Sequence, residues 1–171
     1  MKWLWLSVLT VILDQLTKKI AESELILHQA LAVFPGFNLT LMYNRGAAFS
    51  FLSDAGGWQR PLFVGLSTGI SIFLFIWLWQ ICRDEVQKHN QLIQAAIALV
   101  LGGAIGNLID RAMTGEVVDF IQVYYAQWYF PTFNIADSAI TLGAGLLILD
   151  MIREAKQNHA ARKSADEASD G

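Results

Sequence analysis

Two long runs of this chain contain no charged side chain. Leu62 to Ile81 is 20 residues and Leu92 to Ile109 is 18. At a rise of about 1.5 Å per residue, either run crosses a hydrocarbon core of about 30 Å as a helix. Apolar residues make up 54% of the 171 positions and charged residues only 16%, which excludes an ordinary soluble domain. Two further runs are shorter. Trp3 to Leu13 gives 11 uncharged residues before Asp14, and Ser138 to Leu149 gives 12 before Asp150. Each of these spans if its aspartate lies near one end or is sheltered by neighbouring helices. The expected fold is an all-α membrane protein with four transmembrane helices, near 3–21, 60–82, 92–112 and 136–154. Residues 1–154 then form one integral-membrane domain, and the polar, aromatic-poor stretch 155–171 reads as a disordered tail.

The first segment has a competing reading as a secretory signal peptide, since Lys2 precedes its apolar run. Asp14, Gln15, Lys18 and Lys19 stand where a small-residue cleavage site should follow, so a retained helix is expected. Four spans put both termini on one side. Lys2, Arg83, Lys88, Arg153, Lys156, Arg162 and Lys163 are seven of the twelve Lys and Arg, and they fall on the side of the termini. That places both termini in the cytoplasm and segments 22–60 and 112–134 outside. Trp3, Trp5, Trp77 and Trp79 then lie at inner helix ends, and Trp58 and Trp128 near outer ones.

In the first outer segment, Phe37, Leu39, Leu41 and Tyr43 alternate with other residues, the period of a strand with one apolar face. Asn44-Arg45-Gly46 supplies a turn, and Ala47 to Phe51 reads as a returning strand. A small extracytoplasmic sheet between the first two helices is expected. Tyr124 to Phe133 holds six aromatics in ten residues, the composition of a segment in the headgroup layer. It reads as a lid or platform beside an acyl-chain substrate or as a plain interfacial anchor, and the two readings are compatible.

Carboxylates at the edges of such runs are costly and mark functional sites. Asp119 stands in Val117-Val118-Asp119-Phe120, and Asp137 in Phe133-Asn134-Ile135-Ala136-Asp137. Both fall on the outer face. If they meet, they form a dyad in which a carboxylic acid and a carboxylate share a proton and activate water. The alternative for Asn134 and Asp137 is helix capping, with Asn134 as the cap and Asp137 favoured by the helix dipole. Gly103, Asn107 and Asp110 share one face of the third helix, with Arg111 beside them. Gly102 and Gly106 add a spacing that lets another helix approach. These polar residues read as an interhelical cluster that orients a site. Asp14 and Lys18, four apart, can pair.

Other chemistries find little support. The single Cys82 excludes an intramolecular disulfide and a cysteine-based zinc cluster. His28, His89 and His159 lie in no ligand spacing. A net charge of −3 without basic clusters argues against nucleic acid. A small ion or proton transporter is the main rival, but it would distribute carboxylates through the membrane depth. A docking scaffold gives Asp119 and Asp137 no reason to converge. A divalent-metal hydrolase would use Asp and Asn oxygens.

Together these fragments resemble the lipoprotein signal peptidases (signal peptidase II). They are Asp14-Gln15-Leu16-Thr17-Lys18, Asn44 to Ser50, Gly102 to Arg111, Val117 to Phe120 and Phe133 to Ser138. The resemblance covers nearly the whole chain. It implies a bacterial inner-membrane aspartic endopeptidase that cuts diacylglyceryl-modified prolipoproteins before the lipidated cysteine, with no metal or organic cofactor. It makes Asp119 and Asp137 the catalytic pair. It makes Asp14, Asn44, Gly46, Gly103, Asn107, Asp110, Arg111, Asn134 and Ala136 supports or substrate contacts. The implied partners are the prolipoprotein and membrane lipid; separately from the resemblance, a monomer is expected.

Overall fold

A computed structural model describes residues 2–45, 58–85 and 87–169. Among the described residues four α-helices carry the chain: α1 (Leu4–Glu24), α2 (Gln59–Arg83), α3 (Gln91–Met113) and α4 (Ile135–Ser169). By length and composition α2, α3 and α4 are apolar enough to cross a membrane. Helix α1 is 21 residues long but carries Asp14, Lys18, Lys19, Glu22 and Glu24.

Helix α3 is the hub. Half of its most apolar stretch is buried, against 22% for those of α2 and α4. Leu74, Leu78 and Ile81 of α2 pack on Ile97, Ala98 and Leu101 of α3, with Leu4 and Leu6 of α1 against the same cluster. Small residues let the other helices in. A Cβ on Gly102 would lie 2.7 Å from Thr10 Cβ of α1, and one on Gly103 would lie 2.4 Å from the Ala136 carbonyl oxygen of α4. The 102/106 glycine spacing therefore faces α1, and Gly103 faces α4. On their remaining surfaces the helices present large apolar side chains, among them Val8, Ile12, Leu66, Phe73, Leu142 and Ile148. In a membrane these face lipid at no hydrophobic cost.

The two aspartates that interrupt the first and last runs are both sheltered. Asp14 is fully buried and Asp150 is 6% exposed. Asn90, the N-cap of α3, donates from Nδ2 to both oxygens of Asp150 (2.9 and 3.1 Å).

Among the described residues four strands sit at the opposite end of the bundle: β1 (Ala30–Phe34), β2 (Phe37–Asn44), β3 (Val117–Tyr125) and β4 (Trp128–Tyr129), in that spatial order and antiparallel. The expected strand at 37–43 is β2, but the sheet differs from the expectation in its partners. Its neighbours are β1 before it and β3 from beyond α3, so the sheet is not confined to the first connection. Gly46 and the returning strand expected at 47–51 lie outside the described residues. Alternation found β2 because one of its faces is apolar. It missed β3 because Val117 to Phe120 are buried without alternation. The aromatic segment is the β3–β4 hairpin, with Tyr125 85% and Trp128 82% exposed.

Residues 155–169 of the stretch expected to be a disordered tail are helical here. Helix α4 continues to Ser169, through a stretch rich in Ala, Lys, Glu, Gln and Arg. Those residues have high helix propensity, and continuing an existing helix needs no new nucleus.

Candidate active site

Asp119 and Asp137 reach one place by different routes. In β3, Asp119 pairs in register with Met42 of β2. Asp137 lies in the first turn of α4. The segment before α4 is pinned to β3: the Phe133 carbonyl accepts from the N–H groups of Phe120 (3.1 Å) and Ile121 (2.8 Å), and the Phe133 N–H donates to Ile121 (3.0 Å). That clamp puts the start of α4 beside Asp119.

Asn134 joins the two aspartates. Its Nδ2 donates to Asp119 Oδ1 (2.8 Å), its Oδ1 accepts from the Asp137 N–H (2.9 Å), and its own N–H donates to Asp137 Oδ2 (3.3 Å). The last two bonds form a reciprocal capping box. Asn134 therefore makes the capping bonds of α4, and the same side chain also bonds Asp119 of β3. Asn134 is fully buried, Asp119 is 2% exposed, and Asp137 is half-buried.

The remaining carboxylate oxygens also have partners. Asn44, expected in a turn, is the last residue of β2, and its Nδ2 donates to Asp119 Oδ2 (3.2 Å). Asn107 Nδ2 donates to Asp137 Oδ1 (2.7 Å). Burial, then the charge of Asp137, pushes the Asp119 carboxyl from its ordinary 3.8 up to about 7, against the opposing hydrogen bonds of Asn44 and Asn134. At neutral pH this carboxyl is within reach of both protonation states, as an acid–base group requires.

Behind the pair lies a second polar layer. Lys18 Nζ pairs with Asp14 Oδ2 and Asp110 Oδ2, both at 2.7 Å, and donates to Asn107 Oδ1 at 2.9 Å. Asp14 Oδ1 accepts the Ala136 N–H (2.9 Å), and Asp110 Oδ2 accepts the Val118 N–H (3.3 Å). Gln15 Nε2 donates to Asp110 Oδ1 (2.8 Å) and to the Gly106 carbonyl (3.2 Å). The Arg111 guanidinium lies over the Phe63 ring at 5.6 Å, within the fields of Asp137, Asp119 and Asp110.

Of the residues singled out in the sequence, Asp14, Asn44, Gly103, Asn107, Asp110, Arg111, Asn134 and Ala136 converge around the two aspartates. Lys18 and Gln15 were not singled out as site residues. The only signal for Lys18 was its spacing from Asp14, which could not show that α3 supplies its other two acceptors. Among the described residues no cluster of three His, Cys, Asp or Glu is arranged to hold a metal ion.

Comparison with known proteins gives the family. A family model described as signal peptidase (SPase) II matches residues 6–153. A lipoprotein signal peptidase of Pseudomonas aeruginosa is 50% identical over 161 residues, covering 93% of this chain and 92% of that protein. One from Acinetobacter baylyi is 53% identical over 155 residues, covering 91% and 84%. A bacterial membrane enzyme solved by the in meso method superposes with a TM-score of 0.77 at 34% identity, covering 91% of this chain and 90% of that one. A second such structure has a TM-score of 0.69 at 36% identity, covering 88% and 92%. The chain is a membrane enzyme of the signal peptidase II family.

Proposed function

We propose that this enzyme is an aspartic endopeptidase acting on diacylglyceryl-modified prolipoproteins, with Asp119 and Asp137 as its catalytic pair. The observation that carries the reading is the single buried Asn134 bonded to both aspartates. One carboxylate takes a proton from water as the water attacks the scissile carbonyl. The other, protonated, donates a hydrogen bond to that carbonyl oxygen. The resulting gem-diol collapses as the departing amine takes up a proton. Burial raises the Asp119 carboxyl, which suits it to hold a proton in the pair. Asn44, Asn107 and Asn134 keep both carboxyls oriented. Gly103 and Ala136 permit the close α3–α4 contact that seats Asp137.

On this reading α1 is the fourth span. Its Asp14 and Lys18 are enclosed by protein, so lipid does not meet them. Both termini are cytoplasmic, and the sheet and dyad lie at the outer face of the inner membrane. The substrate's acyl chains stay in lipid, and its cleavage site rises to the dyad at the interface. The aromatic hairpin borders that site, and the enzyme works as a monomer without a cofactor. Asp14, Asp110, Asp119 and Asp137 gather in one network, whereas the transporter reading needs carboxylates spread along a path.

The test is a gel-shift assay of purified enzyme on a diacylglyceryl-modified prolipoprotein, with excess chelator present. Cleavage should persist. Asp119→Asn and Asp137→Asn should each lose at least the 10²–10⁴-fold typical of one acid–base group, with folding and insertion intact. Near-normal turnover in either variant would remove that residue from the chemistry.

A further inference from the structure

Lys18 is a buried cation that the chemistry above does not use. It is 2% exposed. An ammonium has three donors, and Lys18 directs them at Asp14 Oδ2, Asp110 Oδ2 and Asn107 Oδ1. The other bonds made by these three acceptors are what matter. Asp14 accepts the N–H of Ala136, the residue immediately before Asp137. Asp110 accepts the N–H of Val118, the residue immediately before Asp119. Asn107, its carbonyl occupied by Lys18 and by Asn134, is left with its amide facing Asp137 Oδ1. Helix α3 is shaped to admit this arrangement: a Cβ on Gly106 would lie 2.6 Å from Asp14 Oδ2.

We infer that Lys18 is a positioning residue for the dyad: its one ammonium ties together the two carboxylates that anchor the backbone ahead of each catalytic aspartate, and so sets their separation. Two carboxylates this close and this buried would repel each other without the cation. Their release would loosen the β3 anchor and the α4 anchor together. A buried ion pair seldom stabilises more than an apolar contact of the same volume. Its distinctive contribution here is geometric. The inference rests on the reading of Asp119 and Asp137 as the catalytic pair.

The experiment compares the parent enzyme, Lys18→Met, Asp119→Asn and Asp137→Asn. Each is purified in detergent micelles, checked for folding by size exclusion and thermal unfolding, and assayed on diacylglyceryl-prolipoprotein across pH 5–9. For folded Lys18→Met, kcat should fall by about 10²-fold, the loss expected from a misplacement of about 1 Å. KM should stay within about threefold, because substrate contacts remain. The pH profile should also move to higher pH. Asp119 is faced by Asp137 from α4, Lys18 from α1, Arg111 from α3 and Asn44 from β2, and removing the ammonium makes that environment more negative. A kcat per folded enzyme near the parent's, a loss confined to KM, or an unmoved pH profile would each overturn the inference. If Lys18→Met does not fold, the charge-balanced Lys18→Met/Asp110→Asn is measured, with the kcat loss as its criterion. Failure of both to fold would make Lys18 a stability element and overturn the inference equally. Turnover by the dyad variants would instead remove the catalytic reading itself. Inactive dyad variants beside a fully active Lys18→Met would sink only the role of Lys18.

Discussion

Asp119→Asn should make the protein more heat-stable as pH rises, while it removes activity. Asp119 is 2% exposed, and burial followed by the charge of Asp137 lifts its carboxyl to about 7. The folded state therefore holds this proton more tightly than the unfolded chain, where an aspartate titrates near about 3.9. A pKa raised on folding contributes stability that is present below the unfolded value and is lost as pH rises through the folded one. Going from about 3.9 to about 7, at 1.36 kcal/mol per tenfold change in proton affinity, the loss is about 4 kcal/mol by neutral pH. Asparagine carries no charge at any of these pH values and escapes that loss. It has its own fixed cost, because its amide N–H₂ must meet one of the two donors, Asn44 Nδ2 or Asn134 Nδ2, that now point at carboxylate oxygens. An unmade buried hydrogen bond costs about 1–3 kcal/mol, independent of pH. The variant-minus-parent stability should therefore climb between pH 4.5 and 7.5 and flatten above that. Thermal unfolding followed by tryptophan fluorescence in detergent micelles, at closely spaced pH values, gives the comparison. A melting-temperature difference that stays constant, or that shrinks with rising pH, would refute the argument that Asp119 is held with a raised pKa.

Gly103→Ala should lower kcat by about 10²-fold, since its Cβ would fall 2.4 Å from the Ala136 carbonyl oxygen and push the start of α4 away from β3. Such overpacking should also cost about 1–3 kcal/mol in thermal unfolding, and an unaltered enzyme would show that α4 shifts freely. Unlipidated precursor should be cleaved far more slowly than the diacylglyceryl form, and Trp128→Ser/Tyr129→Ser should reduce turnover; full activity of that double variant would make the exposed hairpin a dispensable anchor. A tag inserted in the turn at Pro35 and Gly36 should be accessible from outside the cell and one at the C-terminus from inside, so detection of both on the same side would sink the four-span topology.

Local pattern was enough to find several parts of this protein. Uncharged length marked α2 and α3, alternation marked β2, and motif spacing marked Asn134 and Asp137 at the start of α4. Residue type marked the carboxylates, because a charge beside an apolar run has to be explained. Pairing across the chain was decided only in three dimensions. Nothing local told β2 that its partner would be β3, 75 residues from Asn44 to Asp119, because a strand buried on both faces does not alternate. Nothing near Lys18 showed that Asp110 and Asn107 would complete its coordination, since those acceptors come from α3, 92 and 89 positions further along. The sequence offered cap and dyad as alternatives, and in three dimensions the bonds of Asn134 are compatible with both. Asn134 has enough donors and acceptors to cap α4 and hold Asp119 together, once the Phe133 clamp brings β3 within reach.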